Sequence, residues 1–435
     1  MGVCRRLALF GWLVVCSAFY SVGVSAAEQV DMAGYYDLIY QIRVVAKNAG
    51  SKSSIGSGFQ VSEDGLIVTN YHVVSMAVDS PATHRIEYLD QAGNSGELSL
   101  LDFDVVNDLA VLRHPAPPAR HFEINELTSA DPLLSLPAGS LAKGEMIYAL
   151  GNPHDLGITL KLGAYNGIVE HSYNPQILFS GSLNPGMSGG PGLLADGSVI
   201  GVNVATAGSD LSFLVPAAAL RQLIDAQRTL DAQNYPAELA LQVARWQRHR
   251  YENLLALDWP SVAFGNWPAL DEIRKDMQCW GSSNEDEDDL SVVVLSKGCD
   301  AGNRLYLGDG FSTGHIHYSF SQRRSVKLSP LRFHTTGGSS MYPDNAGDST
   351  KLTEFVCDSK FVELENASDT PDAPAVNMSL CTRAYVELPE LFDVMLLASA
   401  NLETESYTAH FALAGVPKDL ANRFTRKFFS SLGWR

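Results

Sequence analysis

The stretch Asn184-Pro185-Gly186-Met187-Ser188-Gly189-Gly190-Pro191 decides how this chain is read, because it frames one serine with glycines on both sides. A serine hydroxyl is a weak nucleophile until a base takes its proton, and the oxyanion formed on attack needs fixed N–H donors about 3 Å away. Glycines meet both needs. Gly186 can adopt the backbone conformation that turns its own N–H and that of Ser188 into one hole, while Gly189 and Gly190 let neighbouring backbone approach closely. Taken alone, the same letters also describe a glycine-rich turn ahead of a strand.

Two upstream stretches supply partners in a consistent order. Gly56-Ser57-Gly58-Phe59-Gln60-Val61 leads through Glu63-Asp64-Gly65 into Leu66-Ile67-Val68-Thr69-Asn70-Tyr71-His72-Val73-Val74. The pattern predicts a β-hairpin whose second strand delivers His72 at its end. In Leu101-Asp102-Phe103-Asp104-Val105-Val106-Asn107-Asp108-Leu109-Ala110-Val111-Leu112, Asp108 directly precedes an apolar run that would bury and aim it. Asp102 and Asp104 are the nearby alternatives, and they read as solvated turn acids. A histidine at a strand end is also compatible with a purely structural role. The order His72, Asp108, Ser188 is nevertheless that of chymotrypsin, and differs from those of subtilisin and the α/β-hydrolases.

From about Ile39 to Pro216 the chain resembles the trypsin-like domain of the HtrA/DegP serine proteases. The resemblance is carried by Gly56 to Phe59, Thr69 to Val74, Asp104 to Leu112, Ala149-Leu150-Gly151-Asn152-Pro153 and Gly167-Ile168-Val169. Asn184 to Pro191, Gly197 to Asn203 and Phe213 to Pro216 complete it. It implies two six-stranded β-barrels with the site between them, His72 as general base, Asp108 as its orienting acid and Ser188 as nucleophile. Gly186, Met187 and Ser188 would form the oxyanion hole. One residue departs from the family pattern: Met187 stands where asparagine is usual, and only its backbone N–H is expected to face the oxyanion. Independently, residues 36–215 consist of short apolar runs separated by Gly, Pro, Asn and Asp, the pattern of an all-β barrel or sandwich.

The resemblance also places Ser182 near the base of the specificity pocket, with Asn203 and Leu211 on its walls. The stretch from Ser182 to Ser188 contains no acid, so small or medium apolar side chains are expected ahead of the cleaved bond rather than Arg or Lys. A plain strand serine is the alternative for Ser182.

Arg5 and Arg6, an apolar run from Leu7 to about Val24, and the small residues Val24-Ser25-Ala26-Ala27 predict a secretory signal peptide over residues 1–26. A single membrane anchor is the competing reading, and Cys16 lacks the preceding small residue of a lipoprotein signal. A periplasmic or secreted protein, without stable membrane insertion once the signal is removed, follows as the expectation. Of six cysteines, Cys279, Cys299, Cys357 and Cys381 lie beyond the leader. Their spacing lacks a close Cys-x-x-Cys pair, so two disulfides are expected rather than zinc, with Cys279–Cys299 and Cys357–Cys381 as the local pairing among three connectivities. The net charge of −18 makes nucleic acid and anionic membranes poor partners.

The 435 residues divide by composition into the leader, a trypsin-like domain over 27–230, a helical connector over 231–257 and an accessory domain over 258–435. Helical spacing spans Ala217 to Leu230 and Ala237 to Leu257, broken at Pro236. Trp246, Arg248, His249, Arg250 and Tyr251 there suggest a docking surface or a domain interface. Alternating runs at Leu290–Leu295, Gly314–Phe320 and Phe355–Leu364 predict an antiparallel β module, closed by a helix over Pro417–Leu432. It lacks the Gly-Leu-Gly-like carboxylate-binding loop of the PDZ domains common in HtrA proteins. The acidic run Asn284–Asp289 and the pair His315 and His317 lack a full ligand set, so no metal or other cofactor is expected.

The fold class expected is therefore mostly β: a double six-stranded barrel, a helical connector and a second β-rich, disulfide-containing domain ending in a helix. The function expected is an exported serine endopeptidase acting on protein or peptide substrates through an acyl-enzyme, in envelope protein processing or quality control. The alternative is a latent or inactive protease-fold binding protein whose C-terminal module recognises a partner. An oligomer built through Tyr35, Tyr36 and Tyr40 is conceivable, and core packing explains those rings equally well.

Overall fold

Phe59 faces Val68 and Gln60 faces Ile67 across an antiparallel hairpin, whose turn uses Gly65 at φ 85°. The computed structural model describes residues 31–125, 141–153, 156–206, 210–226, 228–336, 350–362 and 375–433; the expected leader lies outside them. That hairpin belongs to a closed barrel of β1 (Ile39–Ala46), β2 (Lys52–Gln60), β3 (Leu66–Thr69), β4 (His84–Leu89), β5 (Ser95–Asp104) and β6 (Leu109–Arg113). Their order is β1-β2-β3-β6-β5-β4. The second barrel consists of β7 (Met146–Gly151), β8 (Thr159–Ile168), β9 (Ile177–Phe179), β10 (Pro191–Leu193), β11 (Val199–Thr206) and β12 (Ser212–Pro216). It closes as β10-β11-β12-β9-β8-β7. Each short strand turns one apolar side inward, so Ile42, Val44, Ile67, Phe103 and Leu112 fill the first barrel and Ile147, Ile177, Phe179, Ile200 and Leu214 the second. Tyr35 stacks on Phe122 at 5.2 Å and Tyr40 is buried, so both rings serve this packing.

The helical expectation is met with a shift of boundaries. The first helix after the barrels spans Ala217–Asp225 and the next Tyr235–Ala256. Pro236 sits in the first turn of the longer helix, where its missing N–H has no intrahelical partner to lose. This longer helix is a strut between two regions. Its start is tied to the first barrel by Tyr235 Oη donating to the Leu100 carbonyl at 2.9 Å and Gln242 Nε2 donating to the Phe103 carbonyl at 2.8 Å. Farther along, Tyr251 and Leu254 enter the core of the C-terminal sheet. Trp246, Arg250 and Tyr251 are buried at this junction, which assigns them to an interface. The Arg250 guanidinium lies 4.9 Å over the Trp246 ring and donates to the Asn303 carbonyl at 3.3 Å. Burial lowers its pKa to about 10, so it stays charged at neutral pH.

Beyond this strut stands a seven-stranded antiparallel sheet whose strands lie in the spatial order Met277–Ser283, Val292–Ala301, Ile316–Ser325, Glu405–Pro417, Leu391–Asn401, Val376–Ala384 and Val356–Val362. Its strands are β15 (Met277–Ser283), β16 (Val292–Ala301), β19 (Ile316–Ser325), β20 (Val356–Val362), β21 (Val376–Ala384), β22 (Leu391–Asn401) and β23 (Glu405–Pro417). Two small hairpins accompany it: β13 (Ser261–Phe264) with β14 (Trp267–Leu270), and β17 (Leu305–Gly308) with β18 (Phe311–Thr313). One sheet face, with Tyr318, Phe320, Leu396 and Phe411, is covered by Leu420, Phe424 and Phe428 of the final helix Lys418–Ser431. The i, i+4, i+8 spacing of those three residues is why that segment is helical and lies flat on the sheet. Disulfides Cys279–Cys299 and Cys357–Cys381 realise the local pairing, each joining partners that face one another across adjacent strands. His315 and His317 both approach Asp300, at 2.5 and 3.6 Å. Among the described residues no helix is long and apolar enough to cross a membrane.

Candidate active site

His72 lies in the first turn of a helix, Tyr71–Asp79, and not at a strand end as its sequence context suggests. The β-branched run Val73-Val74 reads as strand by propensity. The chain coils instead because Tyr71, Val74 and Val78 fall on one helical face and are buried against the first barrel. We label this helix α1. It starts at Asn70, an extended residue whose Nδ2 donates to the Asp108 carbonyl at 2.8 Å. That bond couples the start of α1 to the turn carrying the acid.

Asp108 sits at φ 55°, a left-handed conformation that few side chains adopt and that is found mainly where tertiary contacts enforce it. Asp104 builds the preceding turn, accepting the N–H groups of Val106 and Asn107 at 2.9 and 3.0 Å. The Asp108 carboxylate then meets His72 twice. Oδ1 accepts the His72 backbone N–H at 2.8 Å, and Oδ2 lies 2.7 Å from Nδ1. With Nδ1–H donating to the carboxylate, Nε2 carries the lone pair a general base needs. Burial works to lower the His72 pKa, but the charge of Asp108 and its hydrogen bond outweigh it and the net shift is upward.

In the turn before Ser188, one residue departs from expectation. Gly186 has φ 94°, open to glycine without strain, and its carbonyl is held by Ser57 Oγ at 2.7 Å. Ser57 also takes the Asn152 N–H at 2.8 Å on its hydroxyl and donates its own N–H to the Ser188 carbonyl at 2.7 Å. Thr69 Oγ1 donates to the Ser57 carbonyl at 2.7 Å. Tying down these carbonyls leaves the N–H groups of Gly186 and Ser188 without partners among the described residues. Two free donors on one turn can stabilise an oxyanion. Met187 is different from expectation: its N–H donates to the Asn184 carbonyl at 3.0 Å and its side chain is fully buried in the second barrel. It therefore shapes the turn from inside and offers no donor.

Ser188 Oγ donates to the Val204 carbonyl at 2.8 Å. No hydrogen bond joins it to His72 among the described residues, so contact between the two would require the hydroxyl to leave Val204. Such bonds commonly tighten only when substrate arrives.

Asp102 corrects another expectation, since it is 2% exposed and not a solvated turn acid. Arg228 clasps it through Nε and Nη2 at 2.8 and 2.7 Å. Burial pushes its carboxyl above the usual value against the pull of that guanidinium. The pair fastens the segment after the barrels onto β5, away from the His72 network. Asn203 likewise leaves the pocket wall expected of it. Fully buried, it donates from Nδ2 to the Leu150 carbonyl at 2.9 Å, and its backbone exchanges bonds with Gly189 and Gly190. Its role is to brace the nucleophile turn. Ser182 and Leu211 do lie on adjoining segments, tied where the Leu183 N–H donates to Ser212 Oγ at 3.1 Å. Ser57 and Asn70 were not singled out from sequence. The one available signal was their place inside the stretches Gly56–Phe59 and Thr69–Val74.

Residues 56–202 match the family model described as a trypsin-like peptidase domain. The chain is 33% identical over 186 residues to Serine protease HTRA4 of Mus musculus, covering 40% of this chain and 34% of that protein. It is 33% identical over 183 residues to Protease Do-like 1, chloroplastic, of Arabidopsis thaliana, covering 39% of this chain and 38% of that protein. The chain thus spans just over a third of the length of these curated relatives. Among solved structures, the serine endoprotease from Yersinia pestis aligns with a TM-score of 0.37 and 24% identity, over 45% of this chain and 65% of that one.

Proposed function

We propose that this chain, which carries a trypsin-like peptidase domain of the HtrA/DegP type, is a serine endopeptidase acting on protein or peptide substrates through Ser188, His72 and Asp108. The observation that carries the reading is the double engagement of His72 by Asp108, which fixes ring and tautomer, opposite a serine turn with two unspent N–H donors. His72 Nε2 takes the Ser188 proton as Oγ attacks the scissile carbonyl. The Gly186 and Ser188 N–H groups hold the oxyanion, and His72⁺ then protonates the leaving amine. Water deacylates the enzyme by the same path in reverse. Because the stretch from Ser182 to Ser188 carries no acid, the reading extends to a preference for a small or medium apolar residue ahead of the cleaved bond.

The same reading places the protein outside the cytoplasm, in the periplasm or secreted, with a role in envelope protein processing or quality control. The basic-then-apolar leader and the two disulfides support it, because disulfides persist in oxidising compartments. Working boundaries are 27–230 for the peptidase domain, 231–257 for the connector and 258–435 for the accessory domain.

A fluorophosphonate probe, which labels a serine only when base and oxyanion hole are assembled, tests the assignment directly. Wild type is expected to label and to cleave an unfolded protein substrate. Ser188→Ala should do neither, with rates lower by about 10⁴-fold or more at unchanged melting temperature. Undiminished cleavage by that variant would overturn the assignment, and an unlabelled but folded wild type would favour the latent binding protein.

A further inference from the structure

Hairpin β17–β18 is more than 200 residues away from α1 in the chain, yet Leu305 and Leu307 share a buried cluster with Tyr71, Val74 and Val78. Tyr71 Oη donates to the Leu307 carbonyl at 3.1 Å. Lys351 bridges Asp79 at the other end of α1 and Glu387, at 2.6 and 2.7 Å. The helix carrying His72 is thus held at both ends by the C-terminal region.

Alternation along β17 turns Leu305 and Leu307 inward and leaves Tyr306 outward, 37% exposed. Its ring stands edge-on to the His72 imidazole, with centroids 6.1 Å apart and planes at 76°. Ser75 Oγ, one turn along α1, donates to the His72 carbonyl at 3.1 Å. The ring is therefore positioned by its strand and keeps exposed surface while standing next to His72.

Acyl transfer requires the scissile carbonyl to sit between Ser188 and the free edge of His72. The substrate residue on the imidazole side of that bond must then cross His72 and meet the neighbouring ring. A tethered phenol offers rigid contact area at low entropic cost. An aromatic face rewards apolar contact and, being the negative side of the ring quadrupole, disfavours a carboxylate laid against it. We propose that Tyr306, supplied by the C-terminal region, is a specificity-determining residue of the peptidase, forming a wall beside His72 that selects an uncharged aliphatic side chain flanking the scissile bond. This rests on the reading of Ser188 and His72 as the catalytic pair.

The test uses the full chain and matched peptides carrying valine or glutamate at the positions flanking the cleaved bond, alongside the rate of fluorophosphonate labelling, which needs no peptide. Tyr306→Ala is expected to lose about three- to tenfold in kcat/KM on the valine peptides, mainly through KM, and to narrow the valine-to-glutamate preference by a similar factor. Its labelling rate should match wild type. Tyr306→Phe, which keeps the ring and guards against misfolding, should keep the preference, and Tyr306→Trp should shift it toward alanine. An unchanged preference in Tyr306→Ala overturns the proposal. So does slowed labelling in step with slowed cleavage, which would make the ring a brace for His72. Failure of the wild type to label at all would be failure of the peptidase reading itself, and is distinguishable because it precedes any change at Tyr306.

Discussion

The two barrels return every strand to a hydrogen-bonded neighbour, whereas the seven-stranded sheet ends on β15 at one side and β20 at the other. Closure removes exposed edges. It also fixes the rims, and the residues of the candidate site all come from rims: His72 from α1 after β3, Asp108 from the β5–β6 turn, Ser188 from the turn before β10. The sheet has no such closure, and its disulfides stand at the two places that lack it, each tying an edge strand to its inner neighbour. In this chain, hydrogen-bond closure accompanies the candidate chemistry, and covalent closure accompanies the support. Tyr306 crosses from the second region to the first at the site.

Three variants probe that contrast, beginning with the largest effect. Asp108→Asn should cut kcat/KM by roughly 10³- to 10⁴-fold, because the amide no longer enforces the tautomer with Nε2 unprotonated. The pH profile gives a second readout. His72 must be neutral to act as base, and its pKa is raised above the ordinary value of about 6.5. Wild-type activity should therefore rise with pH through a limb lying above that value, and the limb should move to lower pH in the variant. A limb that stays in place would detach Asp108 from His72.

Removing the crosslink at one edge, as Cys357→Ser with Cys381→Ser, touches a strand pair that belongs to neither barrel. It should cost about 3 kcal/mol in chemical denaturation for a loop of this length, while labelling of Ser188 in the folded protein persists. Equal stability would mean that the sheet edge does not depend on its crosslink. Ser57→Ala is the smallest of the three, with about a tenfold slower labelling rate expected, since it releases the Gly186 carbonyl without deleting an oxyanion donor. A loss of stability without a change in labelling would assign Ser57 to packing alone.

Much of the barrel region is legible from sequence. Gly186 and Gly189 both take positive φ, and the short alternating strands bracket their turns as expected. What misleads there is local propensity. Val73-Val74 looks extended and is helical because burial of one face outweighs the β preference of single residues. Asp102 looks solvated and is buried because its partner, Arg228, is 126 residues away. In the C-terminal region three of the seven sheet strands, β16, β19 and β20, and the final helix follow from period-two and i, i+4 patterning, while the choice among the three disulfide connectivities came with the strand pairing. The docking of β17–β18 on α1 does not follow from such patterning, since Leu305-Tyr306-Leu307 is one more alternating run in a chain full of them.

By itself the sequence determined the fold class, the candidates Ser188, His72 and Asp108, and that the four later cysteines would pair, because each rests on local chemistry: glycine around a nucleophile, an acid ahead of a buried run, cysteines without metal-ligand spacing. Only the tertiary structure decided that Asn203 braces the serine turn, that Met187 gives up its N–H to Asn184, and that a tyrosine from the far half stands against His72. Each of those depends on which surfaces meet once the chain is closed. Contacts between distant residues leave no spacing for a linear reading to find.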